Sequence, residues 1–326
     1  MLETLRRRAL LAAGAAAAVA RGAAAQPGFP QRPVRLVVPF APGASLDGVA
    51  RVLGRALEAR WGQAVVVENR TGAGGNIGAG AVAQAAPDGH MLLVATSGLM
   101  TVNPHLYRDL GFDLVQDLAP VAMLGSLPNV MVVPASSPAR SVAEFLAAMR
   151  AAGRPMLYGS PGSGSYIHVT GVLFARETGL AAEHVAYRGS APALTDLVAG
   201  RLDVMFENMP GALPFIRDGR LRALAVTTPE RSRALPEVPT TIEAGLPGVV
   251  AVPWFAVFAP GRTPEALRAR IAGDIAAVQD AAEPRRQLEA FGLSVQAAGP
   301  APLDAMVARE RDRLGEIVRA ADIRLE

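Results

Sequence analysis

Cysteine and lysine are both absent from this 326-residue chain. Without cysteine there is no disulfide, no thiol nucleophile, no zinc–thiolate site and no lipidated cysteine anchor. All 32 basic residues are arginine, which excludes a Schiff-base lysine and the lysine of a phosphate-binding loop. The four histidines, His90, His105, His168 and His184, fall at no metal-ligand spacing. No serine stands in a G-x-S-x-G turn. Proline, glycine or charge interrupts every apolar run after the N-terminus, so no later stretch reaches the ~20 residues of a membrane span.

The N-terminal 25 residues read as a secretory signal. Arg6-Arg7-Arg8 precedes Ala9-Leu10-Leu11 and an alanine-rich stretch, and Ala23-Ala24-Ala25 supplies small residues for cleavage before Gln26. Arg7-Arg8 also suits twin-arginine export, with general secretion as the alternative. These 25 residues carry four Arg and one Glu, the whole of the +3 formal charge. Residues 26–326 are therefore neutral overall, and the basic isoelectric point gives no reason to expect nucleic acid.

What remains is half apolar and alternates in pattern. Apolar runs at Val34–Phe40, Ala64–Glu68, Met91–Ala95, Met156–Ser160, His184–Tyr187, Val204–Glu207, Leu221–Thr227 and Phe255–Phe258 predict strands. Helical periodicity between them, as in Val49, Val52, Leu53, Ala56 and Leu57, predicts intervening helices and a parallel sheet. Ser141 with Glu144 three residues on predicts a capped helix to about Ala152. Crossings near Val121–Val133 and before Phe255 divide the chain into a lobe of residues 26–126 plus 251–326 and a lobe of residues 127–250.

Two loops of one design lie about 120 residues apart. Pro39-Phe40-Ala41-Pro42-Gly43-Ala44-Ser45-Leu46-Asp47 follows the first strand, and Gly159-Ser160-Pro161-Gly162-Ser163-Gly164-Ser165-Tyr166 ends another. Small residues bring backbone N–H groups close to a ligand, and the helix start behind them favours negative charge. One loop per lobe, at the carboxyl ends of strands, predicts capture of a small anion in a cleft.

The same segments carry a family resemblance. The chain resembles the periplasmic solute receptors of tripartite tricarboxylate transporters, the Bug family. The likeness runs through RLVVPFAPGASLDGVAR (residues 35–51), GQAVVVENRTGAGGNIGA (62–79), YGSPGSGSYIH (158–168), HVAYRGSAPALTDLVAGRLDVMF (184–206) and RSRALPEVPTTIEAGLPG (231–248). It implies a two-lobed α/β fold of the type II periplasmic-binding-protein (Venus flytrap) class and a periplasmic location. It implies a small di- or tricarboxylate held by backbone amides and bridging waters, integral-membrane permease subunits as partners, and no cofactor. A monomer is the default. Ala44 and Leu46 depart from the family pattern, which has a further Gly and a Thr or Ser there. The expected ligand is accordingly a carboxylate different from, or more apolar than, citrate.

Expected ligand contacts are Phe40, Pro42, Gly43, Ala44, Ser45 and Leu46 in the first loop and Ser160, Gly162, Ser163, Gly164 and Ser165 in the second. Asp47 either accepts from the ligand or caps its helix. His168 faces the cleft or the core. Tyr187, Arg188 and Gly189, Phe206 and Glu207, and Asn76 and Ser97 follow other strands and extend the set. Gly78-Ala79-Gly80-Ala81-Val82-Ala83 matches G-x-G-x-x-A, but it does not directly follow its strand and no acidic residue lies about 20 residues on. A periplasmic hydrolase, or a receptor that feeds a sensor, remains as the alternative.

Overall fold

The computed structural model describes residues 28–43, 45–107, 110–320 and 323. The stretch expected to be a signal sequence, residues 1–25, and Ala44 lie outside the described residues.

Two sheets organise the chain. The first holds β1 (Val34–Val38), β2 (Val65–Asn69), β3 (Met91–Thr96) and β4 (Leu118–Ser126), joined later by β10 (Trp254–Pro260) and β11 (Ser294–Ala298). Its order is β11-β4-β10-β3-β1-β2. The second holds β5 (Asn129–Pro134), β6 (Met156–Ser160), β7 (Ala182–Ala186), β8 (Val204–Asn208) and β9 (Leu221–Val226), in the order β7-β6-β8-β5-β9. Both are mixed, which corrects the expectation of a parallel sheet. β10 runs antiparallel to β3 and β4, and β5 antiparallel to β8 and β9. The cause is the route of the chain. A strand that arrives from the other sheet enters at the carboxyl ends of its new neighbours and so must run against them.

Helices cover both faces of each sheet. In chain order they are α1 (Ser45–Trp61), α2 (Asn76–Ala83), α3 (Ser97–Thr101), α4 (Asn103–Leu106), α5 (Val142–Ala152), α6 (Tyr166–Thr178), α7 (Ser190–Val198), α8 (Met209–Arg217), α9 (Glu265–Asp280), α10 (Ala282–Ala290) and α11 (Pro300–Ala320). Strand β1 shows why both faces close. Val34, Leu36 and Val38 pack with Val49 and Leu53 of α1 and Ile271 and Ile275 of α9, while Val37 turns to Ala79 and Val82 of α2. Gly78 within G-x-G-x-x-A serves this packing. A Cβ there would stand 2.9 Å from the Arg70 carbonyl and 3.0 Å from Pro39. Ser141 caps α5 as its spacing predicts, accepting from the Glu144 amide at 3.2 Å, although the Glu144 carboxylate reaches Arg140 N rather than Ser141 N.

The chain passes between the sheets through Leu127 and Pro128 and returns along residues 227–253. The two passes are bonded to each other: Leu127 N donates to Pro253 O at 2.8 Å, and Ala251 N donates to Thr227 O at 3.0 Å. A separate apolar cluster spans the junction, with Val102, Tyr166, Val169, Ala251, Leu314, Ile317 and Val318 in contact.

Candidate functional site

The first loop is held from behind by Asp47. This carboxylate accepts from Gly43 N at 3.1 Å, from Arg51 Nε at 2.9 Å and Nη2 at 3.0 Å, and from Asn69 Nδ2 at 2.9 Å. Burial opposes its charge, but the Arg51 guanidinium and the Gly43 and Asn69 amides outweigh it and hold the carboxyl below its usual range. Four donors occupy its lone pairs, so Asp47 organises the loop instead of meeting a ligand. Asn69 also donates to Phe40 O at 3.0 Å. Gly43 sits at φ 87, in left-handed space open to glycine. Pro42 and Gly43 are exposed, and Phe40 and Ser45 are half-buried. Leu46, in the first turn of α1, packs into the core, contrary to its expected place at the ligand.

The second loop is built around two stacked imidazoles. The rings of His168 and His184 lie 3.7 Å apart and 5° from parallel. Burial, with His184 alongside, pushes His168 down to about 3, and burial pushes His184 down to about 4. Both are therefore neutral acceptor–donor rings at ordinary pH. Gly164 N donates to His168 Nδ1 at 3.1 Å, and the Ser160 hydroxyl lies 2.6 Å from His184 Nε2. Gly162 N donates to Ser160 Oγ at 3.1 Å. The Gly43, Gly162 and Gly164 amides, expected to face a ligand, are thus engaged within their own loops. His168 and Ser160 are structural for the same reason. Ser160 and His184 have the spacing of a nucleophile and its base, but the hydroxyl is fully buried.

Ser165 caps α6 by accepting from His168 N at 3.2 Å. The Tyr166 and Ile167 amides make no hydrogen bond to a described residue. These free donors stand at the start of a 13-residue helix, where partial positive charge gathers. Ser163, half-buried, precedes them. The loop meets elements of the first sheet: a Cβ on Gly98 of α3 would come 3.4 Å from Tyr166 N, and one on Gly164 would run into Leu106 of α4.

Among the other expected contacts, Phe206 is fully buried and packs on Phe174 at 5.2 Å, so it belongs to the core. The Tyr187 hydroxyl donates to Asp196 at 2.8 Å. Burial and Asp196 push that phenol up to about 12. Arg188 is exposed, and Gly189 at φ 112 leads into α7. The Ser97 hydroxyl accepts from Trp254 N at 3.3 Å.

Among the described residues, buried side chains that keep unpaired polar atoms include Asn76 at the start of α2 (Nδ2), Asn129 at the start of β5 (both amide atoms) and Glu207 near the end of β8 (Oε2). Asn76 and Glu207 are in the expected set. Asn129 is not, and its signal was a lone amide between Pro128 and the apolar run Val130–Val133. Among the described residues no group of three or more His, Asp or Glu is set to hold a metal ion, and no helix is long and apolar enough to cross a membrane.

Comparison with known proteins places this geometry. The family model for the tripartite tricarboxylate transporter family receptor matches residues 49–323. BugT of Bordetella pertussis is 37% identical over 302 residues, covering 91% of this chain and 92% of BugT. Among solved structures, Rpa4515 of R. palustris with adipate is 34% identical, with a TM-score of 0.84 over 92% of this chain and all of that one. MatC of Rhodopseudomonas palustris with bound malate is 33% identical, with a TM-score of 0.77 over 89% of this chain and all of its own. A model match over most of the length and relatives above 30% identity give one conclusion: the chain belongs to the tripartite tricarboxylate transporter receptor family.

Proposed function

We propose that the protein is a periplasmic receptor that captures a small carboxylate between two lobes, residues 26–126 with 251–326 and residues 127–250, and delivers it to a membrane permease. The observation that carries the reading is the pair of amides at the start of α6, Tyr166 and Ile167, without a hydrogen-bond partner among the described residues. Backbone donors at a helix start hold a carboxylate without any basic side chain. The ligands named for Rpa4515 and MatC, adipate and malate, are both dicarboxylates. The Ser163 hydroxyl adds a third donor to the proposed grip, with waters filling the remaining positions, while Pro42, which has no N–H, and Gly43, whose amide is bonded to Asp47, only border it. With Leu46 in the core, the expectation of a ligand more apolar than citrate loses its support, and Ala44 bears only on a ligand different from citrate. Residues 1–25 serve as the export signal.

Calorimetric titration with a panel of mono-, di- and tricarboxylates tests this. Saturable one-to-one binding, with the acid recovered unchanged, is expected. No binding by any acid overturns the receptor reading. Product formation in molar excess over protein favours a hydrolase, for which the Ser160–His184 contact would be the starting point.

A further inference from the structure

Glu207 lies at the carboxyl end of β8 with its side chain 2% exposed. Oε1 accepts from Asn208 N at 2.9 Å. Oε2 meets no donor. Two helices begin beside it. Ser190, the first residue of α7, turns its hydroxyl toward the carboxylate, and Gly211 of α8 leaves the space in which a Cβ would stand 3.2 Å from Oε1. Met209, the residue after Asn208, donates its amide to Pro128 O at 2.8 Å, which fixes this strand end against the crossing between the sheets. An unpaired buried carboxylate oxygen is costly to leave unmatched, and the Ser190 hydroxyl and the Asn208 amide offset only part of that cost.

The charged neighbours do not supply one. Asp196 of α7 is taken by Tyr187 and Arg201. Arg188, before α7, is exposed, and Arg217 stands at the far end of α8. Arg222 of β9 donates to the carbonyls of Ala135, Ser137 and Ala139. β5 carries no charge, and His184 of β7 is held neutral. Burial therefore dominates and pushes Glu207 up to about 7, with the Ser190 hydroxyl and the Asn208 amide opposing it.

We propose that Glu207 is a specificity determinant of the carboxylate site, donating a proton-bearing Oε2 to the second carboxylate of a dicarboxylate ligand. The inference rests on the carboxylate reading above. Each dicarboxylate bound brings one proton from solvent, which Glu207 keeps in a hydrogen bond between the two carboxyl groups. No covalent bond changes. A monocarboxylate has nothing to gain from this contact, and ionised Glu207 repels a second negative charge.

Titration of adipate and malate into the protein from pH 6 to pH 9, in pairs of buffers with different ionisation enthalpies, tests it. The native protein is expected to take up close to one proton per ligand at pH 8, and its Kd to weaken toward tenfold per pH unit above neutrality. Glu207→Gln keeps a donor without a titratable proton, so it is expected to retain binding with a flat pH profile. Ser190→Ala removes a group that favours the ionised form and moves the break to higher pH. A native profile that is flat with no proton uptake, or a Glu207→Gln variant with the native slope, overturns the proposal. Binding of monocarboxylates but of neither dicarboxylate also overturns it, whereas binding of no acid at all removes the receptor reading beneath it.

Discussion

The hydroxyl of Tyr166, the first residue of α6, donates to Glu310 of α11 at 2.6 Å. The other oxygen of Glu310 takes the indole N–H of Trp254, where β10 begins. One half-buried carboxylate thus fastens the helix start of the second loop to the strand that returns to the first sheet. Burial raises the Glu310 carboxyl, and the Tyr166 and Trp254 donors hold it back. Tyr166→Phe removes one donor and leaves a buried oxygen unmatched. A loss of about 1–3 kcal/mol in urea denaturation is expected, and an unchanged midpoint would show that the contact holds nothing.

Asp47 provides a second test, in the first sheet. Its folded carboxyl titrates below its unfolded value, so its stabilisation is complete above the unfolded range and lost as pH falls through the folded one. Asp47→Asn surrenders the paired contact with Arg51 and is expected to lose about 2 kcal/mol at pH 7. The difference from the native protein should shrink in acid. Thermal melts of both proteins between pH 7 and pH 2 measure it.

The stacked histidines set a different acid limit. His168 and His184, held near 3 and 4, are protonated in the unfolded chain from about 6.5 downward. The folded state binds fewer protons across that window, so stability declines as pH falls from 6.5 toward 4. Each ring contributes up to about 1.4 kcal/mol per pH unit. In His184→Gln the slope between pH 6 and pH 4.5 should drop by close to one proton, read from chemical denaturation at fixed pH. An unaltered slope would place the acid sensitivity elsewhere.

Gly164 combines φ 78 with a neighbour, Leu106, in the space of its missing Cβ. Gly164→Ala is expected to lose about 1–2 kcal/mol from the left-handed backbone alone and to weaken carboxylate binding further by holding Leu106 off. Adding Leu106→Ala should recover the steric part and leave the backbone part. Equal affinities in the single and double variants would refute the contact.

Much of the architecture was written locally. Met156–Ser160 ends where glycine, serine and proline follow it, and sequence and structure agree on both of its ends. Strand direction was not written locally, because β5 and β10 run against their neighbours through the path of the whole chain. β11 was missed since Ser294–Ala298 is a mostly exposed edge strand without apolar alternation. In the site, Arg51 four residues after Asp47 was a readable sign of an internal ion pair. The stacking of His168 on His184 was unreadable, because a helix and a separate strand bring them together. The same is true of Glu310, which sits in a charged stretch of α11 where nothing marks it as the partner of Tyr166 and Trp254.

The two passes between the sheets lie side by side and are bonded to each other by Leu127 and Pro253. Adjacent tethers resist sliding and twisting far more than folding about the line that joins them. On the two-lobed receptor reading, any opening is expected to follow the single angle about that line.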